Sequence, residues 1–235
     1  MNTIRSRVAT LLTGVLGPLL ALSLAAGVAA PAPAASGSRG APATEVSTTT
    51  VSYAGTVYLT FDDGPSATYT PQVLAILRTY GVKAVFFEVG QNVSWYPSIT
   101  RNLRYYGNKI GNHTWSHPDL TTLSSYWVSW QLNRMESALG YRPRCVRPPY
   151  GATNSRIAGI IAARGQRQIL WTVDPRDWSR PGTWTIVNRV LANVRDGSRI
   201  LLHDGGGNRS QTVAALDLLI PRLRARGFVV GLMAC

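Results

Sequence analysis

Residues 56–66 read TVYLTFDDGPS, an apolar alternation that ends on two adjacent aspartates and a Gly-Pro turn. The alternation in TVYLTF is that of a β-strand. Successive strand residues point to opposite faces, so Asp62 and Asp63 can share a target only if the strand stops there. Two neighbouring carboxylates also repel, and one is raised in pKa unless a positive group sits between them. The stretch therefore opens a domain with a strand and places paired acidic chemistry at its end.

The same alternation of short β-like runs and amphipathic stretches continues to the last residue. TPQVLAILRTYG (70–81) keeps Val73, Leu74, Leu77 and Tyr80 at helical spacing and stops at Gly81. KAVFFEVG (83–90), KIGNH (109–113), RCVRPPYG (144–151), RQILWTVD (167–174), RILLHD (199–204) and FVVGLM (228–233) read as further strands. Helices are expected over 96–107, 124–140, 154–165, 183–194 and 211–227, the last with a kink at Pro221. Strand–helix alternation implies parallel strands covered by helices. Seven strands and six helices suit an α/β fold, a (β/α) barrel with about seven parallel strands; an open doubly wound sheet is the rival. In either, the reactive loops follow the C-terminal strand ends.

The N-terminal region reads differently. Arg5 and Arg7 precede the apolar run 8–30, and PAPAAS follows. This is the pattern of a secretory signal peptide over 1–35, cleaved near Ala34 or Ala35, with a retained anchor as the alternative. Residues 36–55 are small, polar and aperiodic, and read as a disordered linker. Residues 56–235 then form one catalytic domain, which predicts a secreted, extracellular monomer with no membrane span after cleavage. The formal charge of +13 comes from 22 Arg and 2 Lys. The arginines are scattered, with no basic run interleaved with aromatics, which argues against nucleic acid as a partner while suiting an anionic cell wall. In an exported chain Cys145 and Cys235, its two cysteines, are expected to form one disulfide; two independent buried thiols are the alternative.

Nearly every strand end carries a reactive side chain: Asp62-Asp63, His113, Arg147, Asp174 and Asp177, and His203-Asp204. All three histidines of the chain, His113, His117 and His203, fall at such positions. HTWSH (113–117) places two histidines four apart, which a helical turn would bring to one face, as two-histidine metal sites do. A third, oxygen ligand suits zinc and similar cations, and one of the Asp62-Asp63 pair can supply it.

TFDDGP, HTWSH, RPPYG, DPRDW and LLHDG occur in that order between Thr60 and Gly205. Together they resemble the five motifs of the polysaccharide deacetylase family (the NodB-homology domain, carbohydrate esterase family 4). The resemblance implies a distorted (β/α) barrel and metal-dependent hydrolysis of acetyl groups on sugars. Carried onto this sequence, it implies metal ligands Asp63, His113 and His117, and a catalytic base at Asp62 paired with Arg147. It gives Tyr150 an oxyanion-binding backbone N–H, His203 the role of acid, Asp177 that of orienting the acid, and Trp178 and Leu201 the walls of the acetyl-methyl pocket. The implied cofactor is one divalent ion, Zn²⁺ first, with Co²⁺ or Ni²⁺ possible. The implied partner is an N-acetylated glycan (peptidoglycan or chitin oligomers) or acetylated xylan. LLHDGGGNRSQTVAAL (201–216) is more similar to the amide-cleaving members, which favours N-acetylglucosamine polymers over O-acetyl esters. A non-catalytic glycan-binding relative would lack one of these groups, and none is missing. A phosphoester hydrolase would want a second metal, for which no ligand set is evident. Glu88 ends a strand with no identifiable partner, Asp174 reads as structural, and Asp204-Gly205-Gly206-Gly207 as a flexible loop.

Overall fold

A computed structural model describes residues 52–235. The leader read at 1–35, and the linker as far as residue 51, lie outside the described residues. Seven strands are present: β1 (Gly55–Asp62), β2 (Val85–Glu88), β3 (Lys109–Asn112), β4 (Cys145–Val146), β5 (Arg167–Gln168), β6 (Arg199–His203) and β7 (Phe228–Gly231). All pairings are parallel, in the order β5-β4-β3-β2-β1-β6. Tyr58 pairs with both Arg199 and Gly231, so β7 lies along the edge of β1 that β2 takes over from Thr60 onward. β1 alternates in burial from Gly55 to Tyr58 and is buried on both faces from Leu59 to Asp62, as an interior strand must be.

The sheet curls until the chain beyond β5 reaches the free edge of β6, where Val173 bridges Ile200. The result is a distorted (β/α) barrel with parallel strands. RQILWTVD is not one strand, as its apolar run suggests. Arg167 and Gln168 pair with β4, Val173 pairs with β6, and Leu170 and Trp171 between them leave both ladders. β4 is equally short, because Pro148 and Pro149 follow Arg147 and cannot donate to a ladder.

Among the described residues seven α-helices surround the strands: α1 (Tyr69–Thr79), α2 (Gly90–Trp95), α3 (Pro97–Tyr105), α4 (Ser125–Leu139), α5 (Ser155–Ala163), α6 (Thr183–Asn193) and α7 (Ser210–Ala225). The additional helix is α2, which separates from α3 at Pro97. α4 begins at a Ser124 cap, whose hydroxyl accepts the Trp127 N–H, and ends at Gly140 in the left-handed conformation. α7 continues through Pro221. Proline leaves the Asp217 carbonyl without its helical donor, and Oη of Tyr80, just after α1, supplies one at 3.1 Å. Among the described residues no helix is long and apolar enough to cross a membrane.

The main core joins Val57, Leu59 and Phe61 of β1 to Val73 and Leu77 of α1, Val187 of α6 and Leu216 of α7. A smaller cluster of Val128, Leu132, Val146, Ile157 and Ile161 seats α4 and α5 against β4. Cys145 and Cys235 form a disulfide across 90 residues, beside Val85 and Phe87. Such a link restricts the unfolded chain most when the loop it closes is long. The double substitution Cys145→Ala with Cys235→Ala is expected to lower unfolding stability by about 2–4 kcal/mol in urea denaturation. An unchanged midpoint would mean that the C-terminal strand holds without its link.

Candidate active site

β1 ends at Asp62, whose Cα pairs with both Phe87 and His203. Asp63 then takes φ +71°, the left-handed region that non-glycine residues rarely enter. That single reversal releases Asp63 from strand alternation, so both carboxylates open onto the same cavity. The question posed by the adjacent aspartates is thus settled by the backbone.

His113 directly follows β3, and its N–H donates to Glu88 O. Its Nδ1 lies 2.6 Å from Arg147 O, which can only accept. Nδ1 therefore carries a proton, which leaves Nε2 as the nitrogen available to a cation. His113 Nε2 and His117 Nε2 approach Asp63 Oδ1 at 3.5 and 3.2 Å. His117 Nδ1 faces Tyr150 Oη at 3.2 Å. HTWSH is not the helical turn that its spacing suggests. Thr114 and His117 are left-handed, at φ +68° and +60°, and the loop between them bends without helical structure.

The donor set fits a divalent cation. The ligand atoms of Asp63, His113 and His117 lie within 4.8 Å of one another. Asp63 Oδ1 is buried yet accepts no hydrogen bond. Burial pushes the Asp63 pKa up, but the facing imidazoles of His113 and His117, with His203 beyond them, outweigh it and hold the carboxyl well below the ordinary range. An ionised carboxylate and two imidazole nitrogens, one with its tautomer fixed, are the donors that zinc and its neighbours prefer.

Asp62 is held differently. Arg147 Nη1 donates to Asp62 Oδ1 at 2.6 Å, and both side chains are buried. The guanidinium also donates to Thr60 Oγ1 and Ile169 O and lies 4.0 Å over the Phe87 ring. Gly111 makes room for that ring, since a Cβ there would fall 2.3 Å from Phe87 Cδ1.

Across the cavity, Asp177 accepts from His203 twice: Nδ1–H at 2.7 Å and the backbone N–H at 2.8 Å. Thr212 Oγ1 donates to the same carboxylate. Burial alone would lower the His203 pKa, but the Asp177 carboxylate, aided by Asp62 and Asp63, raises it to about 9. Arg147 and Asp177 therefore serve separate partners and do not form a pair with each other.

Asp62, Asp63, His113, His117 and His203 line one cavity of about 460 Å³ with Tyr150, Trp171, Asp174, Trp178 and Leu201, while Arg147 and Asp177 support it from behind. Trp178 is 50% exposed and belongs to the wall, not the core, while Leu201 is buried beneath it. Asp174 reaches the lining, and its carboxylate also accepts the Arg176 N–H. A larger hollow of about 660 Å³, lined by Arg101, Arg104 and Arg144, lies at the start of β3 and β4 and holds none of these groups.

Sequence reading missed several supports. Trp171 is exposed to the cavity by the break after β5. The glycines after Asp204 form a clamped turn, not a flexible loop. A Cβ on Gly205 would sit 2.0 Å from Asp63 O, and one on Gly206 2.4 Å from Asp63 Oδ2. Buried Arg209 ties the turn down through Gly205 O, Gly206 O and Trp178 O. Glu88 does have a partner, Thr100 Oγ1 at 2.9 Å.

Comparison with known proteins agrees with this arrangement. Residues 52–169 match the family model described as polysaccharide deacetylase. A chitooligosaccharide deacetylase of Azorhizobium caulinodans is 40% identical over 190 residues, covering 74% of this chain and 90% of that one. A peptidoglycan-N-acetylglucosamine deacetylase of Bacillus cereus is 39% identical over 177 residues, covering 73% and 83%. The solved family 4 carbohydrate esterase from Streptomyces lividans, in complex with acetate, superposes with a TM-score of 0.72 at 33% identity, covering 78% and 95%. With its ordered motifs, its parallel barrel and these relatives, the chain belongs to the polysaccharide deacetylase family.

Proposed function

We propose that this protein is an exported, metal-dependent deacetylase that hydrolyses the N-acetyl groups of N-acetylglucosamine in peptidoglycan or chitooligosaccharides. The observation that carries the reading is the separation of the two aspartates. Asp63 joins His113 and His117 with an unpartnered oxygen, while Asp62 stays outside that set and is fixed by Arg147. The relatives named for chitooligosaccharides and for peptidoglycan N-acetylglucosamine supply the substrate class. The apolar run at the N-terminus and the disulfide both suit export into an oxidising compartment.

Asp63, His113 and His117 would hold the ion, for which Zn²⁺ is our assignment. When bound, it polarises the carbonyl and lowers the pKa of water. Asp62 accepts the water proton as the nucleophile attacks the acetyl carbon. Arg147 holds that carboxylate in place at the cavity. The Tyr150 N–H, which donates to no described residue, is available to the developing oxyanion. His203, charged through Asp177, gives its proton to the departing nitrogen, and the amine leaves as the carbon–nitrogen bond breaks. Trp178 and Leu201 enclose the acetyl methyl and exclude bulk water from it.

An O-acetyl ester has a better leaving group and needs less help from an acid. His203, charged through Asp177, supplies the acid that amide cleavage requires.

Acetate release from chitooligosaccharide, purified peptidoglycan and acetylxylan, measured side by side, tests the reading. Activity should be greatest on the first two, vanish with a chelator and return with Zn²⁺ or Co²⁺; activity that survives full metal removal would overturn it. Asp62→Asn should lower kcat by about 10²–10⁴-fold while leaving metal affinity unchanged.

The pH dependence follows from the acid. A raised pKa keeps His203 charged until the pH climbs through it, so kcat/KM should fall on the alkaline side, at or below pH 9. The bound ion sets the direction of that difference, because it weakens the contribution of Asp63. Asp177→Asn leaves burial opposed by less charge, so the alkaline limb should move to lower pH. A limb that stays in place would remove His203 from the role of acid.

A further inference from the structure

The loop carrying His113 and His117 has no regular structure, yet all four of its following amide hydrogens are accepted by side chains. Asn112 Oδ1 takes the Thr114 N–H at 2.8 Å, and Thr114 Oγ1 takes the His117 N–H at 3.0 Å. The two between them, from Trp115 and Ser116, both go to Gln131 Oε1, at 2.9 and 3.0 Å. The Gln131 amide is used at its other end too, where Nε2 donates to Ser116 Oγ at 2.9 Å. Its orientation is therefore determined, since a flipped amide would set donors against donors. Asn112 and Thr114 belong to the loop's own segment. Gln131 is the one acceptor that reaches the loop from another element, α4.

Gln131 is a polar residue on the buried face of α4, between Val128 and Met135 and next to Leu132. A buried polar side chain at such a position needs hydrogen-bond partners, and here they are Trp115 and Ser116, two of the three residues between the histidines. The two imidazoles differ in how they are fixed. His113 is held by Arg147 O on its ring and Glu88 O on its backbone. His117 is half-buried, and apart from its ligand-set neighbours His113 and Asp63 its ring meets only Tyr150, whose Oη faces Nδ1. Its place near Asp63 Oδ1 depends on the left-handed conformations of Thr114 and His117. The Gly90 and Gln91 N–H groups of α2 hold the first part of the loop through Thr114 O and Trp115 O, at 2.9 and 3.0 Å. Without Gln131, the Trp115 and Ser116 N–H groups lose their acceptor, and beyond Trp115 only Thr114 Oγ1 directs the backbone to His117.

We propose that Gln131 is a positioning residue for the cation site: it holds His117 in the ligand set and so fixes the affinity for the ion. This rests on the reading of Asp63, His113 and His117 as metal ligands. Gln131 touches neither substrate nor ion; its effect passes through the loop.

The test compares the full protein with Gln131→Met and Gln131→Glu. Methionine keeps the length and removes every hydrogen bond. Glutamate keeps an acceptor for both N–H groups and can accept from Ser116 Oγ. Zn²⁺ affinity is measured by competition with a chromophoric chelator, and Co²⁺ is used for its visible absorption. Gln131→Met should bind Zn²⁺ about 10–100-fold more weakly, the range for losing an outer support of a metal ligand. Its Co²⁺ spectrum should change, and Gln131→Glu should restore both readings. Wild-type affinity in Gln131→Met, or equal impairment of both variants, would overturn the proposal. If Gln131→Met does not fold, Gln131→Glu decides alone: near wild-type affinity and spectrum support the role, and a loss of more than about 10-fold refutes it. A wild-type protein that binds neither ion would instead defeat the metal reading itself.

Discussion

The site is organised around one buried ion pair. Arg147 has no solvent exposure, and its Nη1 sits 2.6 Å from Asp62 Oδ1. Burial pulls the guanidinium pKa down, and Asp62 is the main force opposing it. Removing two charges from water costs several kcal/mol per ion, so the pair persists only with close geometry and added hydrogen bonds. Thr60 Oγ1, Ile169 O and the Phe87 face provide these. The same residue also supports the candidate cation site, because its carbonyl accepts the His113 Nδ1–H. One arginine thus fixes the free carboxylate with its side chain and one imidazole with its backbone. Its neighbours follow from that need: a glycine at 111 for Phe87, and two prolines that end β4 directly after it.

How much of this could be read in the sequence follows from what periodicity reports. It marks faces and ends of elements, and parallel strands deliver all their C-terminal ends to one rim. Asp62, Asp63, His113, Arg147 and His203 were visible for that reason. Periodicity says nothing about which side chain holds which. HTWSH has the spacing of a helical turn, but its amide hydrogens go to side chains and the backbone is left-handed at two points. RQILWTVD is apolar enough for a strand, but it changes partners midway and so exposes Trp171. Gln131 did leave a signal. It is polar where the period of α4 demands an apolar residue. The glycines after His203 looked like freedom, whereas they record the close approach of Asp63.

Backbone strain is concentrated where the side chains converge. Among the described residues, six non-glycine residues have positive φ: Asp63, Thr114, His117, Tyr150, Arg176 and Arg180. The first four lie in the loops that carry the ligand set and Tyr150, and the last two flank the turn of Asp177 and Trp178. Such conformations cost on the order of 1 kcal/mol each and survive only where surrounding contacts over-determine them. The contacts are visible here: Arg209 on the glycine turn, Gln131 on the histidine loop, Thr212 on Asp177. The core carries the strain, and Asp63, His113, His117, Asp62 and His203 are placed together at one cavity.

Electrostatics then sorts the carboxyls at this rim by their partners. Glu88 and Asp204 are fully buried, and each has only a threonine hydroxyl as its side-chain donor. Burial raises both, Glu88 well above the ordinary range and Asp204 to about 7. Asp62 and Asp63 stand beside them, and each has positive or proton-rich neighbours of its own, Arg147 for one and the paired imidazoles for the other. Asp177, buried as deeply, is matched by His203. Asp63 is thus held well below the ordinary range by the imidazoles that face it, whereas Glu88 and Asp204, which meet only a hydroxyl, are driven toward neutrality. The adjacent aspartates are tolerated on the same terms. Their repulsion is not relieved by distance, which the chain cannot provide, but by the turn at Asp63 that hands each carboxylate to a different partner.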